Sequence, residues 1–263
     1  MRITVLLENT AGADHVTAEH GLSLFIETES AKILFDMGQT DAFTSNAEVL
    51  GVDLASADLA VLSHGHYDHG GGLAKFLDLN GTAPVYLSPH AFEPHFSTKY
   101  IGLDTALESH PRLIRVTETT EIAPGVTLFP SVLCRYPIVP FGLTAEIDGI
   151  RKDEDFRHEQ YMMIEEKGRR ILFSGCSHRG ILNIADHFGR MHGVDTVIGG
   201  FHFSKLDPDG DGCDALDEAA EILLDSGLIF YTCHCTGESQ TAYLKSRMGD
   251  HLQAIRCGDS FEI

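Results

Sequence analysis

Short apolar runs separated by glycine-rich and charged loops recur along the whole chain. Residues 2–7 (RITVLL), 22–28 (LSLFIET) and 32–36 (KILFD) read as strands, with a Gly-bearing loop at 8–21 between the first two. Asn46 to Gly51 suggests a short helix closed by glycine. A buried strand follows at Asp58–Leu62, then a helix over 72–79 and a strand at 84–88 (PVYLS). Strand-like runs return at 112–117, 126–129 and 161–165. From residue 170 the pattern becomes strand, helix, strand, helix, strand: RILFSG, HRGILNIADHFGRMHG, DTVIGGF, DALDEAAEILLDSG and LIFYTCHC. Such alternation predicts a mixed α/β architecture. Two stretches resist assignment. Residues 89–112 combine histidine, proline and aromatics and are expected to form helix or loop. Residues 134–160 carry prolines, glycines and a charged run, and predict a long irregular flap facing a substrate.

Between the strand at Asp58–Leu62 and the helix at 72–79 lies SHGHYDHGGG. Three histidines and an aspartate fall within six positions: His64, His66, Asp68 and His69. Neutral imidazole and carboxylate are the usual ligands of zinc and of non-haem iron or manganese. In extended backbone, residues two apart face the same way, so His64 and His66 are placed to share one ion. After the turn, Asp68 and His69 reach toward a second.

Composition narrows the class. The 263 residues can bury a sizeable core, and a formal charge of −20 argues against a surface built for nucleic acid or anionic membrane. MRITVLLENTAG runs into a strand and reads as structure, not as a signal peptide. No apolar run approaches the roughly 20 residues that span a bilayer. The six cysteines show no framework spacing and are expected to be free thiols, which points to a reducing, cytoplasmic setting.

SHGHYDHGGGL resembles the signature of the metallo-β-lactamase superfamily. LFDMG (34–38), ILFSGCSH (171–178) and YTCHCTG (231–237) fall where that family places further strand ends and ligands. The resemblance implies a single domain over 1–263, a four-layer αββα sandwich, and two divalent metal ions at one edge, with zinc ahead of manganese or iron. It also implies that His178 and His234 join His64, His66, Asp68 and His69 as ligands. The family usually has an aspartate bridging two metals where this chain has Cys176, which is either a metal or bridging ligand or a small buried residue beside a binding His178. His158, which precedes a strand, rivals His178 as the third imidazole of the first site.

Several residues are weaker expectations. Read with period two, Ile229, Tyr231, Cys233 and Cys235 share one face of a strand while His234 points to the other. His202, after a strand-like run and a Gly pair, is a proton donor, a substrate contact or a histidine near the core. Asn9, Glu19, His20, Asp36 and His158 are placed at a substrate rim. DPDGDGCDALDE (207–218) matches a calcium-loop pattern, but no entering helix precedes it; an Asp-rich loop that charges the next helix explains the same letters.

Two metals about 3.5–4 Å apart make a metal-bound hydroxide available at neutral pH. With Asp68 orienting it and His202 aiding the leaving group, ester, lactone, thioester and phosphoester hydrolysis are all in reach. EHGLS, GCSHRGILNI, GGFH and HCTG narrow the resemblance to a subgroup with an archaeal enzyme of methanopterin biosynthesis, which joins a dihydropterin diphosphate to a ribofuranosylaminobenzene phosphate. The substrate is therefore expected to be a small molecule, and the sequence fixes no oligomeric state. Two alternatives stand beside this reading: a mononuclear non-haem iron dioxygenase, and a non-catalytic metal-binding module.

Overall fold

A computed structural model describes residues 1–139 and 141–263; Pro140, inside the predicted flap, lies outside them. In chain order the first half comprises β1 (Arg2–Leu7), β2 (Ser23–Glu27), β3 (Lys32–Phe35), α1 (Ala42–Leu50), β4 (Leu59–Val61), α2 (Tyr67–Gly70), α3 (Leu73–Leu79), β5 (Val85–Leu87), β6 (His95–Phe96) and β7 (Leu113–Arg115). Next come β8 (Thr120–Ala123), β9 (Val126–Phe129), β10 (Thr144–Ile147), β11 (Ile150–Asp153), β12 (Tyr161–Glu166) and β13 (Arg169–Phe173). The chain closes with α4 (Ile181–His192), β14 (Thr196–Ile198), α5 (Cys213–Asp225), β15 (Ile229–Thr232), α6 (Glu238–Met248), β16 (Leu252–Ala254) and β17 (Ser260–Glu262).

The strands form two seven-stranded sheets, β17-β1-β2-β3-β4-β5-β7 and β16-β15-β14-β13-β12-β9-β8. Their inner faces meet in one apolar layer built from residues such as Val5, Leu24, Ile33, Val61, Met162, Ile171 and Phe173. α1 and α3 cover the outer face of the first sheet through Phe43, Leu73 and Phe76. α4, α5 and α6 cover the second through Ile184, Phe188, Leu223 and Leu244. The architecture is the expected αββα sandwich. The central strands β1 to β4 and β14 are buried on both faces and so read as continuous apolar runs rather than alternating ones; β1 is buried at five of its six positions.

Half of each sheet is parallel: β3-β4-β5-β7 in one and β13-β14-β15-β16 in the other. Ligands in open α/β sheets gather beyond the carboxyl ends of such strands. The loops after β3, β4, β13, β14 and β15 all open at that edge, and they carry Asp36, the His cluster, Cys176, His202 and His234. Four of the non-glycine residues in left-handed backbone lie in these loops: Asp36, Ser177, His202 and His234. Such conformations persist only where the surroundings hold them, and they cluster at functional sites.

The flap expected over 134–160 is partly regular. β10 and β11 form a hairpin that adds to β6, with Ala145 opposite His95. Asp148 and Gly149 turn it with φ of 54° and 74°, the two positive values that a tight hairpin turn requires. Among the described residues no helix is long and apolar enough to cross a membrane. All six cysteines are free.

The loop 8–21 is tied down by one side chain. Asn46 on α1 is 1% exposed, donates to the carbonyls of Leu6 and Thr17 at 2.8 Å each, and accepts from the Thr17 amide at 2.8 Å. Asn46→Ala leaves buried backbone groups without partners and is expected to cost about 2 kcal/mol of stability. Urea unfolding checks this; a loss under about 0.5 kcal/mol would show that the loop is anchored elsewhere.

Candidate metal centre

Asp36 forms the floor of the site. It is fully buried, not at a rim: Oδ1 accepts from the Ser63 amide at 2.7 Å, and Oδ2 accepts from Ser63 Oγ at 2.7 Å and from His69 Nδ1 at 2.6 Å. With its hydroxyl proton given to Asp36, Ser63 Oγ accepts from His64 Nδ1 at 2.9 Å. Across the site, His234 Nδ1 donates to Asn9 Oδ1 at 2.8 Å. Each bond places the ring proton on Nδ1, so His64, His69 and His234 present Nε2 lone pairs inward. The loop geometry that allows this is tight. At Gly175 (φ 62°), which leads into Cys176, an added Cβ would lie 2.4 Å from Ser63 Oγ.

The inward atoms converge on Cys176 Sγ. His69 Nε2 is 3.1 Å from it, and His64, Cys176 and His178 form one group of donor atoms lying within 4.8 Å of one another, while His69, Cys176 and His234 form another. His64 Nε2 and His178 Nε2 face each other at 3.3 Å. His178 is held flat against Phe156, with ring centroids 4.7 Å apart and 6° between planes. Asp68 Oδ2 lies 3.3 Å from His234 Nε2 and 3.2 Å from His20 Nε2. His178 Nδ1 and His234 Nε2 are buried without a hydrogen bond. Soft thiol, imidazoles and carboxylate, with buried nitrogens lacking partners, are a donor set that fits a divalent ion such as zinc.

Electrostatics support neutral imidazole ligands. Burial, followed by the neighbouring histidines, holds His64 and His178 well below the usual imidazole value. Burial also lowers His234, partly offset by Asp68. At His69 burial works the same way, but Asp36 outweighs it and raises the value. Burial and the Cys235 side chain push the Cys176 thiol well up, so it gives up its proton only against a cation.

Other expected residues are placed differently. His234 is not on a strand face: β15 ends at Thr232, and His234 stands in a single 3-10 turn at φ 50° with its amide donating to Glu8 Oε1 at 2.6 Å. The period-two argument therefore does not apply to it. Asn9, His20 and His202 line the cleft over the site, whose volume is about 460 Å³. Glu19 is absent from that lining and instead holds Thr40 through both carboxylate oxygens. His158 is 1% exposed and is no rim residue. His66 lines the cleft, but its Nε2 does not join His64; it turns toward Glu154 Oε2 at 3.5 Å, in a buried group with His95 and His158. His95 and Glu154 went unnoticed in the sequence. At 207–212, Asp207 accepts from the Asp209, Gly210 and Gly212 amides and leads directly into α5, with no helix entering the loop.

Fold and site together define a metalloprotein of the metallo-β-lactamase type, and the chain belongs to that superfamily. The profile of the Metallo-beta-lactamase superfamily matches residues 16–137. The crystal structure of Tm1679, a metal-dependent hydrolase of the beta-lactamase superfamily, superposes with a TM-score of 0.86 at 30% identity over 100% of this chain and 99% of that one. The chain is 28% identical to the 7,8-dihydropterin-6-methyl-4-(beta-D-ribofuranosyl)-aminobenzene-5'-phosphate synthase of Methanocaldococcus jannaschii, covering 98% of this chain and 95% of the synthase. Zn(2+)-bound PqqB from Methylobacterium extorquens shares the fold, with a TM-score of 0.59 at 14% identity over the full length of both.

Asp36→Asn tests the floor. An amide retains the shape but cannot accept from both Ser63 and His69 as the carboxylate does, so His64 and His69 lose their fixed orientation. Metal affinity is expected to fall 10–100-fold, read by competition against a chelating dye. Unchanged affinity would remove Asp36 from this role.

Proposed function

We propose that the chain is a metal-dependent hydrolase or transferase that uses a dinuclear zinc-type centre on a small ester, lactone or phosphoester, a pterin-related diphosphate being the leading class. The observation that carries this is the position of Cys176 Sγ between two groups of histidines, His64 with His178 and His69 with His234. A shared thiolate suits two adjacent ions, as a bridging carboxylate would. When bound, such ions acidify a water molecule and polarise the bond being broken.

The chain's own groups divide the remaining work. Burial works to raise Asp68, but the neighbouring His20 and His234 side chains overcome it and hold the carboxyl well below its usual value, so Asp68 stays an acceptor that orients the attacking water. His202 is brought down to about 4, by burial and then by His66 and His234. A neutral ring at pH 7 donates a hydrogen bond to a leaving oxygen rather than a full proton.

The cleft itself supports a phosphorylated aromatic substrate. Lys99, Ser97 and Ser204 lie along it, and Lys99 Nζ sits 5.0 Å from the Tyr67 ring centroid. An adjoining pocket of about 290 Å³ shares His178 and His202 and is lined by Tyr136, Phe141 and Phe203. Its aromatic lining suits a planar ring, and Lys99 in the cleft offers a positive charge to a phosphate. The relative from Methanocaldococcus jannaschii, a synthase of a dihydropterin-aminobenzene phosphate, points the same way. The net charge of −20 keeps nucleic acid out of the proposal.

The test is turnover by zinc- and manganese-loaded protein of phosphodiesters, lactones and the pterin condensation, alongside Asp68→Asn. No turnover of any class at full metal loading would refute the reading. Lys99→Ala is expected to raise KM for a phosphorylated substrate about tenfold, the equivalent of losing one charge-assisted hydrogen bond of about 1.5 kcal/mol, with kcat little changed. An equal rise for an unphosphorylated analogue would take Lys99 off the phosphate.

A further inference from the structure

Three imidazoles of the centre have their rear nitrogen held by a fixed acceptor: His69 by Asp36, His64 by Ser63 and His234 by Asn9. His66 has a rear partner too, in a place the superfamily motif does not reach. Its Nε2 lies 3.5 Å from Glu154 Oε2, while Glu154 Oε1 lies 2.6 Å from His95 Nδ1 and 2.7 Å from His158 Nε2. All four side chains are at most 4% exposed. In this conformation the ring nitrogens that face Glu154, along with His95 Nε2 and both carboxylate oxygens, lack well-directed hydrogen bonds. Only one another, or a cation among them, can satisfy them, and leaving them unpaired would cost about 1–3 kcal/mol per group.

His158 decides between the two. The Gly65 amide donates to His158 Nδ1 at 2.7 Å, so the neutral ring carries its proton on Nε2, the atom that faces Glu154. An N–H turned inward excludes a cation bound at that nitrogen and supplies a donor to the carboxylate. Glu154 is then an anion with protons around it, and His66 Nε2 carries one of them. That leaves Nδ1 as the lone pair His66 offers to the cleft it lines, beside the rings of His64 and His178, whose centroids are 4.7 and 4.8 Å away.

We propose that Glu154, set by His158 and His95, is a positioning residue that fixes His66 as the Nε2–H tautomer and thereby delivers Nδ1 to the metal centre. This rests on the dinuclear reading above. It also gives the β10–β11 hairpin a purpose. Glu154 follows β11 and His95 lies on β6, so pairing of these strands carries the carboxylate to the back of His66.

The test is long-range proton–nitrogen correlation on [15N]histidine-labelled protein, with zinc and without it, His66 and His158 being assigned by single substitution. The zinc form is expected to show both residues protonated on Nε2 and the His66 Nδ1 resonance shifted by the metal. A proton on His66 Nδ1, or zinc on its Nε2, overturns the proposal; the latter would place an ion in the Glu154 cluster. A His66 ring indifferent to zinc while other histidines shift also overturns it but leaves the centre standing; no histidine shifting at all would strike the dinuclear reading instead. Glu154→Gln is expected to weaken zinc binding 10–100-fold in the folded protein and to mix the His66 tautomers. Wild-type affinity in that variant overturns the proposal, and if the variant does not fold the wild-type spectra decide.

Discussion

Removal of a bound divalent ion by chelation is expected to lower the melting temperature by roughly 10 °C. A site held at 100–1,000 times its Kd stabilises the native state by about 2.7–4.1 kcal/mol, and in a chain of this size each kcal/mol moves Tm by about 2–4 °C. The gain is large here because the donor atoms are already gathered and buried. His64, His69 and His234 have their rear nitrogens fixed, so binding costs little ordering. Without an ion, His234 Nε2 stays buried and unpaired, and Cys176 stays a thiol. Cys176→Ala removes the donor common to both histidine groups and is expected to reproduce most of the shift, with at least one ion lost per chain. Cys176→Asp, which restores a bridging anion, is expected to recover binding. Calorimetry with elemental analysis checks both. A melting curve unmoved while the metal is demonstrably gone would show that the cluster contributes no stability through an ion.

The part of this site legible in the sequence is the part encoded locally. His64, His66, Asp68 and His69 fall within six positions, and a loop between strand and helix needs no long-range information to bring them together. Cys176, His202 and His234 could be placed because each follows an apolar run that ends at a strand terminus. What supports them could not, because it arises from pairing between distant segments. Asp36 lies 33 residues from the ring it orients, and Asn9 lies 225 from His234. Glu154 and His95 come from the two stretches that resisted assignment, joined only when β10 pairs with β6. One signal was available for that hairpin: Asp148-Gly149, flanked by TAEI and IRKD, is the dipeptide favoured in two-residue turns. For His234 the error was assuming that strand geometry continued past Thr232. A left-handed residue at the strand end breaks the alternation on which the face assignment depended.

Acidifying the metal-free protein from pH 7 to pH 4 is expected to cost at least roughly 3 kcal/mol of stability. His158 is brought down to about 3, by burial first and then by His95. In the unfolded chain it titrates near 6.5, so between that value and about 3 the unfolded state binds a proton that the native state does not. Stability contributed by the neutral ring is therefore complete above about pH 6.5 and is lost as pH falls, at about 1.4 kcal/mol per pH unit. Burial lowers His64, His178 and His234 too, and their shifts add in the same direction. His202, brought down to about 4 but partly open to the cleft, adds a smaller share. His69 opposes them: its raised value gives stability that is present in acid and lost as pH rises through it. Glu159, raised by burial, opposes them as well, and two opposing groups do not balance five lowered rings. Against a typical total of about 5–15 kcal/mol, the metal-free native state is expected to be marginal by pH 4. Urea unfolding in chelator across this range measures the slope directly, and His158→Gln should reduce it by about one proton. A pH-independent stability would mean that these buried rings already hold their protons in the native state, and with that the case for neutral, metal-ready imidazoles at pH 7 would fail.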